Sequence, residues 1–327
     1  MQVRIGIHTG LVVVGEMGAG DTREPMAIVG ETPNIAARFQ EIAKPNTVVL
    51  SAATHQLIEG YFVCQPLGAQ SLKGVMTPVE LYQVLGEGPA HNRLEVAGTR
   101  GLTPFVGREQ ELGLLHECWQ QATEGRGQVV LLTGEAGIGK SRLVQALKER
   151  IAGESVTYLE ASCSPYHQDS ALYPAIELSQ RVLRFQQGGS LEEKLHKLET
   201  SIVGAPGRMP PHEIVPLLAS LLSLPLPDRY LPLTLTPQKQ KEKTQAALLT
   251  WLLQETDRQP TLLVWEDLHW ADPSTSELFG LLLGQVPTSR FLVILTFRPE
   301  FLPPWTSRSH GSPKALIQRI CKKRRNS

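Results

Sequence analysis

The chain has 327 residues, 41% of them hydrophobic and 20% charged, with 32 Lys and Arg balancing 32 Asp and Glu. That length accommodates about two domains, and the composition is that of a folded globular protein. A net charge of zero supplies no overall field to draw nucleic acid or an acidic partner. Cys64, Cys118, Cys163 and Cys321 stand far apart without a CxxC pair, which excludes a disulfide framework and a zinc-type spacing and suits a reducing compartment. No apolar run approaches the roughly 18 residues of a membrane helix, and His8 and Gly10 interrupt any signal-peptide core. The expected location is cytoplasmic, with no membrane partner.

The first 85 residues alternate strand and helix signals. Val3–His8 and Leu11–Glu16 are short β-branched runs joined by Thr9-Gly10, a pattern that predicts a hairpin. A loop with Gly18 and Gly20 precedes a strand at Met26–Val29. Apolar residues at Ile35, Ala36, Phe39, Ile42 and Ala43 follow a helical period across Thr32–Ala43, which stops before Pro45. A strand at Val48–Leu50, a helix at Ala52–Ile58 and a strand at Val79–Leu85 complete the region. Residues 86–103, with Gly86, Gly88, Pro89, Gly98 and Gly101, predict a linker. A helix over Glu109–Thr123 opens the second region. Strands follow at Gln128–Leu132, Val156–Leu159, Leu262–Trp265 and Phe291–Leu295, with helices between them that include Ser141–Ile151 and Glu242–Gln254. That alternation predicts a parallel sheet. The Pro-rich stretch 203–237 has no assigned structure. Residues 311–327 carry six basic residues and no acid; such a cluster fits a nucleic-acid contact or an aberrant terminus, and without aromatic or glycine interleaving nucleic acid is not the expected partner.

Val129-Val130-Leu131-Leu132 runs straight into Gly134-Glu135-Ala136-Gly137-Ile138-Gly139-Lys140-Ser141. Strand, Gly-rich loop and helix in this order make a phosphate cradle: glycines let backbone N–H groups turn inward, and the helix N-terminus adds partial positive charge. Lys140 is placed to reach the β- and γ-phosphates of ATP, and the Ser141 hydroxyl to ligate Mg²⁺. A metal-holding acid is also needed at the end of a neighbouring strand. Leu262-Leu263-Val264-Trp265-Glu266-Asp267 supplies two. Glu266 is assigned to Mg²⁺ and Asp267 to the attacking water, although one residue of register would exchange them.

Phe105-Val106-Gly107-Arg108-Glu109, the Gly-rich loop, Glu266-Asp267-Leu268-His269-Trp270-Ala271-Asp272 and Thr296-Phe297-Arg298-Pro299-Glu300 resemble the STAND signalling NTPases of the wider AAA class over about residues 104–303. The resemblance implies a three-layer αβα P-loop domain, a Gly-Arg-Glu box near the adenine, Arg298 as a γ-phosphate sensor, and a slow ATP/ADP switch. The family pattern places Asp where Glu266 stands. It also carries a fifth strand and a helical lid, which are not expected here, since the strand–helix rhythm stops after about His310.

Asn34 and Arg38 are four residues apart on one helix face. An amide beside a guanidinium can bind a sugar oxygen and stabilise charge on a phosphoryl group, or the two can be a turn residue and a solvated surface cation. The segments Arg4–Gly10, Ile28–Phe39 and Leu72–Val75 resemble the C-terminal half of a class III adenylate/guanylate cyclase domain. The resemblance implies a partial ferredoxin-like α+β domain in which Asn34 orients the ribose and Arg38 stabilises the pentavalent phosphate. Lys73 is either a triphosphate contact or a surface lysine. In that family the two metal-binding aspartates precede the matched segment, Asp21 is no substitute, and Ala27 stands where many relatives read adenine. The chain alone is therefore expected to make no cyclic nucleotide, although a homodimer or heterodimer through this half would let Asn34 and Arg38 complete a partner's site.

The predicted class is α/β, with a partial cyclase domain at 1–85, a linker at 86–103, a truncated P-loop domain at 104–305 and an aberrant or disordered basic tail at 306–327. Three functions remain open: part of a cyclase–ATPase fusion acting in cyclic-nucleotide signalling, an ATP/ADP-dependent switch or scaffold without a cyclase role, and an inactive fragment. Slow ATP hydrolysis is compatible with the first two, and ATP and Mg²⁺ are the expected ligands.

Overall fold

The computed structural model describes residues 2–17, 24–72, 75, 77–88, 105–185, 188–202, 209–307 and 317–321, and its two units are Met1–Pro104 and Phe105–Ser327. In the first, β1 (Arg4–Ile7), β4 (Thr47–Ser51), β6 (Val79–Glu87) and β5 (Phe62–Gln70) form a mixed sheet in the order β1-β4-β6-β5. Helix α1 (Glu31–Ile42) lies in sequence between the parallel strands β1 and β4, a pair that needs a crossover rather than a turn. It buries Ile35 and Phe39 with Val49, Leu72 and Leu81. A short helix α2 (Ala52–Ile58) follows β4, capped by Ser51, whose hydroxyl accepts from the Thr54 N–H.

Three expectations change here. The hairpin predicted across Thr9-Gly10 does not form: β1 pairs with β4, while β2 (Val13–Met17) pairs antiparallel with β3 (Glu24–Val29). Pairing with β4 lets α1 cover that sheet, which a local hairpin would not. Strand β5 was not predicted. Pro66 and Gly68 break its sequence pattern, and its ladder with β6 shifts register beside both; as an edge strand it tolerates a proline that donates no hydrogen bond. Strand β6 runs on to Glu87, into the segment read as linker. Gly18, Gly20, Asp21, Lys73 and residues 89–104 lie outside the described residues.

The second unit is built on a parallel sheet of β7 (Gln128–Thr133), β8 (Thr157–Ser162), β9 (Thr261–Glu266), β10 (Phe291–Phe297) and β11 (Ile317–Cys321), in the order β11-β7-β10-β9-β8. Alternate residues serve opposite faces. Val130, Leu132, Leu262, Val264, Leu292 and Ile294 pack with α3 (Glu109–Thr123) and α4 (Lys140–Ile151) through Leu115, Trp119, Leu143 and Leu147. Val129, Leu131, Leu263, Trp265, Val293 and Leu295 pack on the other face. That face is covered by α5 (Tyr173–Val182), α6 (Leu191–Ile202), α7 (Pro211–Leu221), α8 (Pro237–Arg258) and α9 (Pro273–Leu283). The result is a three-layer αβα domain. Each Val, Leu, Ile or Phe so buried contributes about 1.5–3 kcal/mol, and burial on both faces is what gives parallel strands their continuous apolar runs.

Strand β11 corrects the reading of the C-terminal residues as a strandless tail. Ile317-Gln318-Arg319-Ile320-Cys321 pairs in parallel with Val129–Thr133 and adds a fifth strand at the sheet edge. A run of five residues between basic charges is too short for its period to register in the sequence.

Gly127 enters β7 where a Cβ would stand 1.9 Å from the Val286 carbonyl oxygen, whereas a Cβ on Gly113 of α3 would meet nothing within 4 Å. Gly127→Ala is therefore expected to cost about 1–3 kcal/mol through overpacking. Gly113→Ala is expected to add up to about 1 kcal/mol through helix propensity. Urea unfolding of the two variants checks both signs.

Candidate functional site

Strand β7 ends at Thr133 and α4 begins at Lys140, so residues 134–139 span the gap at the carboxyl end of the sheet. Gly137 (φ +75°) and Gly139 (φ +92°) adopt the left-handed backbone that glycine alone enters freely. Helix α4 has no side-chain N-cap and no acid in its first turn, which leaves its leading N–H groups available to an anion. The Lys140 ammonium donates to the Gly134 and Glu135 carbonyls at 2.8 and 3.1 Å. Arg108 donates from its guanidinium to the Ile138 carbonyl, so the Gly-Arg-Glu box braces the loop from outside. Within that box the Glu109 carboxylate accepts from the Gly107 N–H at 3.0 Å.

Strand β10 lies between β7 and β9 and brings the other groups to the same end. Its Phe297 carbonyl accepts from the Gly134 N–H at 3.3 Å, and its Thr296 hydroxyl accepts from the Asp267 N–H at 3.1 Å. Glu266 ends β9; burial pushes its carboxyl up, and the Ser141 side chain opposes the rise. Burial pushes Lys140 down, while Asp267, Glu266 and Glu135 pull it back up and Arg298 adds to the depression. The groups predicted at Lys140, Ser141, Glu266, Asp267 and Arg298 thus form one electrostatic cluster.

Asp267 adopts φ +56°, ψ +42°, a left-handed conformation that costs a non-glycine residue about 1–3 kcal/mol and that collects at functional sites. The Arg298 guanidinium stands 5.8 Å over the Trp270 ring. His269 is a residue to which sequence reasoning assigned no role. Its Nδ1 lies 3.9 Å from Asp267 Oδ1, and both its ring nitrogens are buried without a hydrogen-bond partner; burial pushes the imidazole down. Its position two residues beyond Asp267 was the available signal. Asp272 is a helix cap: its buried carboxylate accepts from the Ser274 and Thr275 N–H groups at 2.9 and 3.0 Å.

In the first unit, Asn34 and Arg38 share the exposed side of α1 and are held locally. The Asn34 amide donates to the Gly30 carbonyl at 3.4 Å, and Arg38 pairs with Glu41 at 3.1 Å.

For Mg²⁺, the Ser141 hydroxyl at the start of α4 and the Glu266 carboxylate at the end of β9 are hard oxygen ligands, a fitting partial set for an ion that takes its other ligands from water and phosphate. No group of three or more His, Cys, Asp or Glu able to hold a metal occurs among the described residues.

Fold and site together define an α/β protein in which a P-loop NTPase domain follows a smaller mixed-sheet domain. Residues 104–295 match the AAA ATPase domain, and the chain belongs to that family; residues 1–86 match the adenylate and guanylate cyclase catalytic domain. The fusion recurs in an uncharacterised protein of Rhizobium meliloti (strain 1021), 29% identical across 97% of this chain and 30% of its own length. Adenylate cyclase 1 of the same organism is 36% identical over 30% of this chain and 15% of its own. A solved adenylyl cyclase, CyaB from P. aeruginosa, is 34% identical over 28% of this chain and 43% of its own, with a TM-score of 0.24. The chain spans less than a third of the length of these two curated relatives. No helix among the described residues is long and apolar enough to cross a membrane.

Cys163 follows β8, and its N–H donates to the Glu266 carbonyl at 2.9 Å. Burial pushes its thiol up to about 12 and that of Cys118 up to about 11. A raised acid favours folding while it stays neutral. This contribution is complete below the unfolded value of about 8.5 and is lost as pH rises toward 12. The native protein is expected to leave Cys163 and Cys118 unlabelled by iodoacetamide at about pH 8, because the thiolate is the nucleophile. Its unfolding free energy should fall above pH 9 or so, less steeply in Cys163→Ala. Mass spectrometry and denaturant titration read the two outcomes.

Proposed function

We propose that this chain is an ATP-binding signalling module whose P-loop domain works as an ATP/ADP switch of the STAND kind. The observation that carries the reading is the convergence of Lys140, Ser141, Glu266, Asp267 and Arg298 at one end of the parallel sheet. Lys140 leaves its two loop carbonyls and neutralises the β- and γ-phosphates. The N–H groups of residues 134–141 close around the phosphate oxygens. Ser141 and Glu266 would hold Mg²⁺, which would supply charge neutralisation at the phosphates. Asp267 orients water toward the γ-phosphate, and Arg298 senses whether that phosphate is present. Glu266 is one methylene longer than the aspartate of the family pattern, in keeping with a switch that hydrolyses ATP slowly.

The N-terminal unit is proposed to make no cyclic nucleotide alone. This reading is favoured by the local partners of Asn34 and Arg38, which would have to release Gly30 and Glu41 before either reached a nucleotide. Association with a complete cyclase remains the route by which the pair would act in trans.

Isothermal titration with Mg²⁺·ATP is expected to show binding that weakens at least tenfold or so in Lys140→Ala, since a charge-assisted phosphate contact is lost. Equal affinities would remove the site assignment. A second assay incubates the chain with ATP or GTP, first alone and then with a class III cyclase lacking its own Asn–Arg pair. No cyclic product is expected from the chain alone. Product in the mixture, abolished by Arg38→Ala, would establish the trans role, and its absence would assign the unit to association only.

A further inference from the structure

One polar layer lies between α4 and the sheet. In β8, Leu159 and Ala161 join the core on the face away from α4, so Glu160 turns toward α4. In β9, Val264 faces α4 and Trp265 the other side, so Glu266 shares the layer with Glu160. The register pairs Glu160 with Val264 and Ser162 with Glu266, which sets the two glutamates as diagonal neighbours on adjacent parallel strands, about 8 Å apart at the backbone. On α4, Lys148 comes two helical turns after Ser141 and lies on the same side.

Two links cross this layer. The Ser141 side chain lowers the Glu266 carboxyl, and the Lys148 ammonium forms an ion pair with the Glu160 carboxylate, their side chains only 19% and 25% exposed. The field of Lys148 also reaches Glu266, lowering its carboxyl, while Glu160 raises it. A half-buried cation that loses its partner seeks another, because leaving it unpaired is costly. With Glu160 neutralised, the nearby carboxylate in this layer is Glu266, and the four-carbon stem of lysine is flexible enough to turn toward it.

We propose that Glu160 is a positioning residue for the metal acid: by holding Lys148 on β8 it keeps that ammonium off Glu266 and leaves the Glu266 carboxylate facing Ser141 and an incoming Mg²⁺. The proposal rests on the Mg²⁺·ATP reading of the P-loop. It assigns a function to a pair that does not itself touch nucleotide, and it specifies the consequence of breaking the pair from either side. Loss of the carboxylate frees a cation that competes with the metal. Loss of the ammonium frees no competitor.

The test follows a fluorescent ATP analogue bound to the full chain while Mg²⁺ is titrated, with a parallel measurement in EDTA. Glu160→Gln is expected to raise the half-saturating Mg²⁺ concentration roughly tenfold, as one competing charge in a half-buried site would, and to leave binding in EDTA unchanged. Lys148→Met, and Lys148→Met combined with Glu160→Gln, are expected to need no more Mg²⁺ than the parent. Glu160→Asp, which keeps the charge, should stay close to it. A purely structural pair would instead weaken binding in all variants with and without metal, and that pattern would overturn the proposal. So would an unshifted Mg²⁺ requirement in Glu160→Gln beside normal binding. Absence of Lys140-dependent binding in the parent chain is the separate result that would undo the site reading itself.

Discussion

The parallel pairing of β10 between β7 and β9 is the constraint on which the candidate site depends. Thr133 registers with Phe297, and Leu295 with Trp265, so three strands from distant parts of the chain end together. The loop after β7, Glu266 and Asp267 at the end of β9 and Arg298 after β10 then share one end of the sheet, the end at which open α/β sheets bind ligands. The register is enforced by burial: a slip of one residue would exchange the side chains facing α3 and α4 with those facing the five helices opposite.

Around that end the polar groups balance one another. Lys140 is satisfied by the carbonyls of its own loop, Arg108 by Ile138 and Lys148 by Glu160. The exceptions lie on the acidic side of the site, where Asp267 holds a strained backbone and His269 keeps two buried nitrogens unbonded. Strain and unmet hydrogen bonds are costs that a folded domain carries where a ligand is to be received.

The two units differ in how completely they bury their strands. In the second, β7 and β10 are buried along almost their whole length. In the first, Ile5, Ile7, Val13, Val14 and Ile28 remain exposed, and the buried cluster is small, made of Ile35, Phe39, Ala43, Val49, Leu72 and Leu81. The larger domain therefore sets its site at the ends of buried strands, while Asn34 and Arg38 lie on the exposed side of a helix whose other side carries that small core.

The amino-acid sequence alone determined β7, β8, β9 and β10 of the larger domain, its Gly-rich turn and its acidic pair, because strands buried on both faces are written as continuous apolar runs ending in turn chemistry. It determined α1 through the spacing of Ile35, Phe39 and Ile42. It did not disclose β5, whose edge position tolerates Pro66 and Gly68, or α7, which carries Pro216 within the helix, or β11, a five-residue run among basic charges. Only the tertiary structure decided which strands are neighbours, that β1 pairs with β4 rather than β2, and that Glu160, Lys148, Ser141 and Glu266 share one layer. Those facts belong to sheet register and helix docking, which arise from burying both faces of the sheet at once and leave no local pattern in the chain.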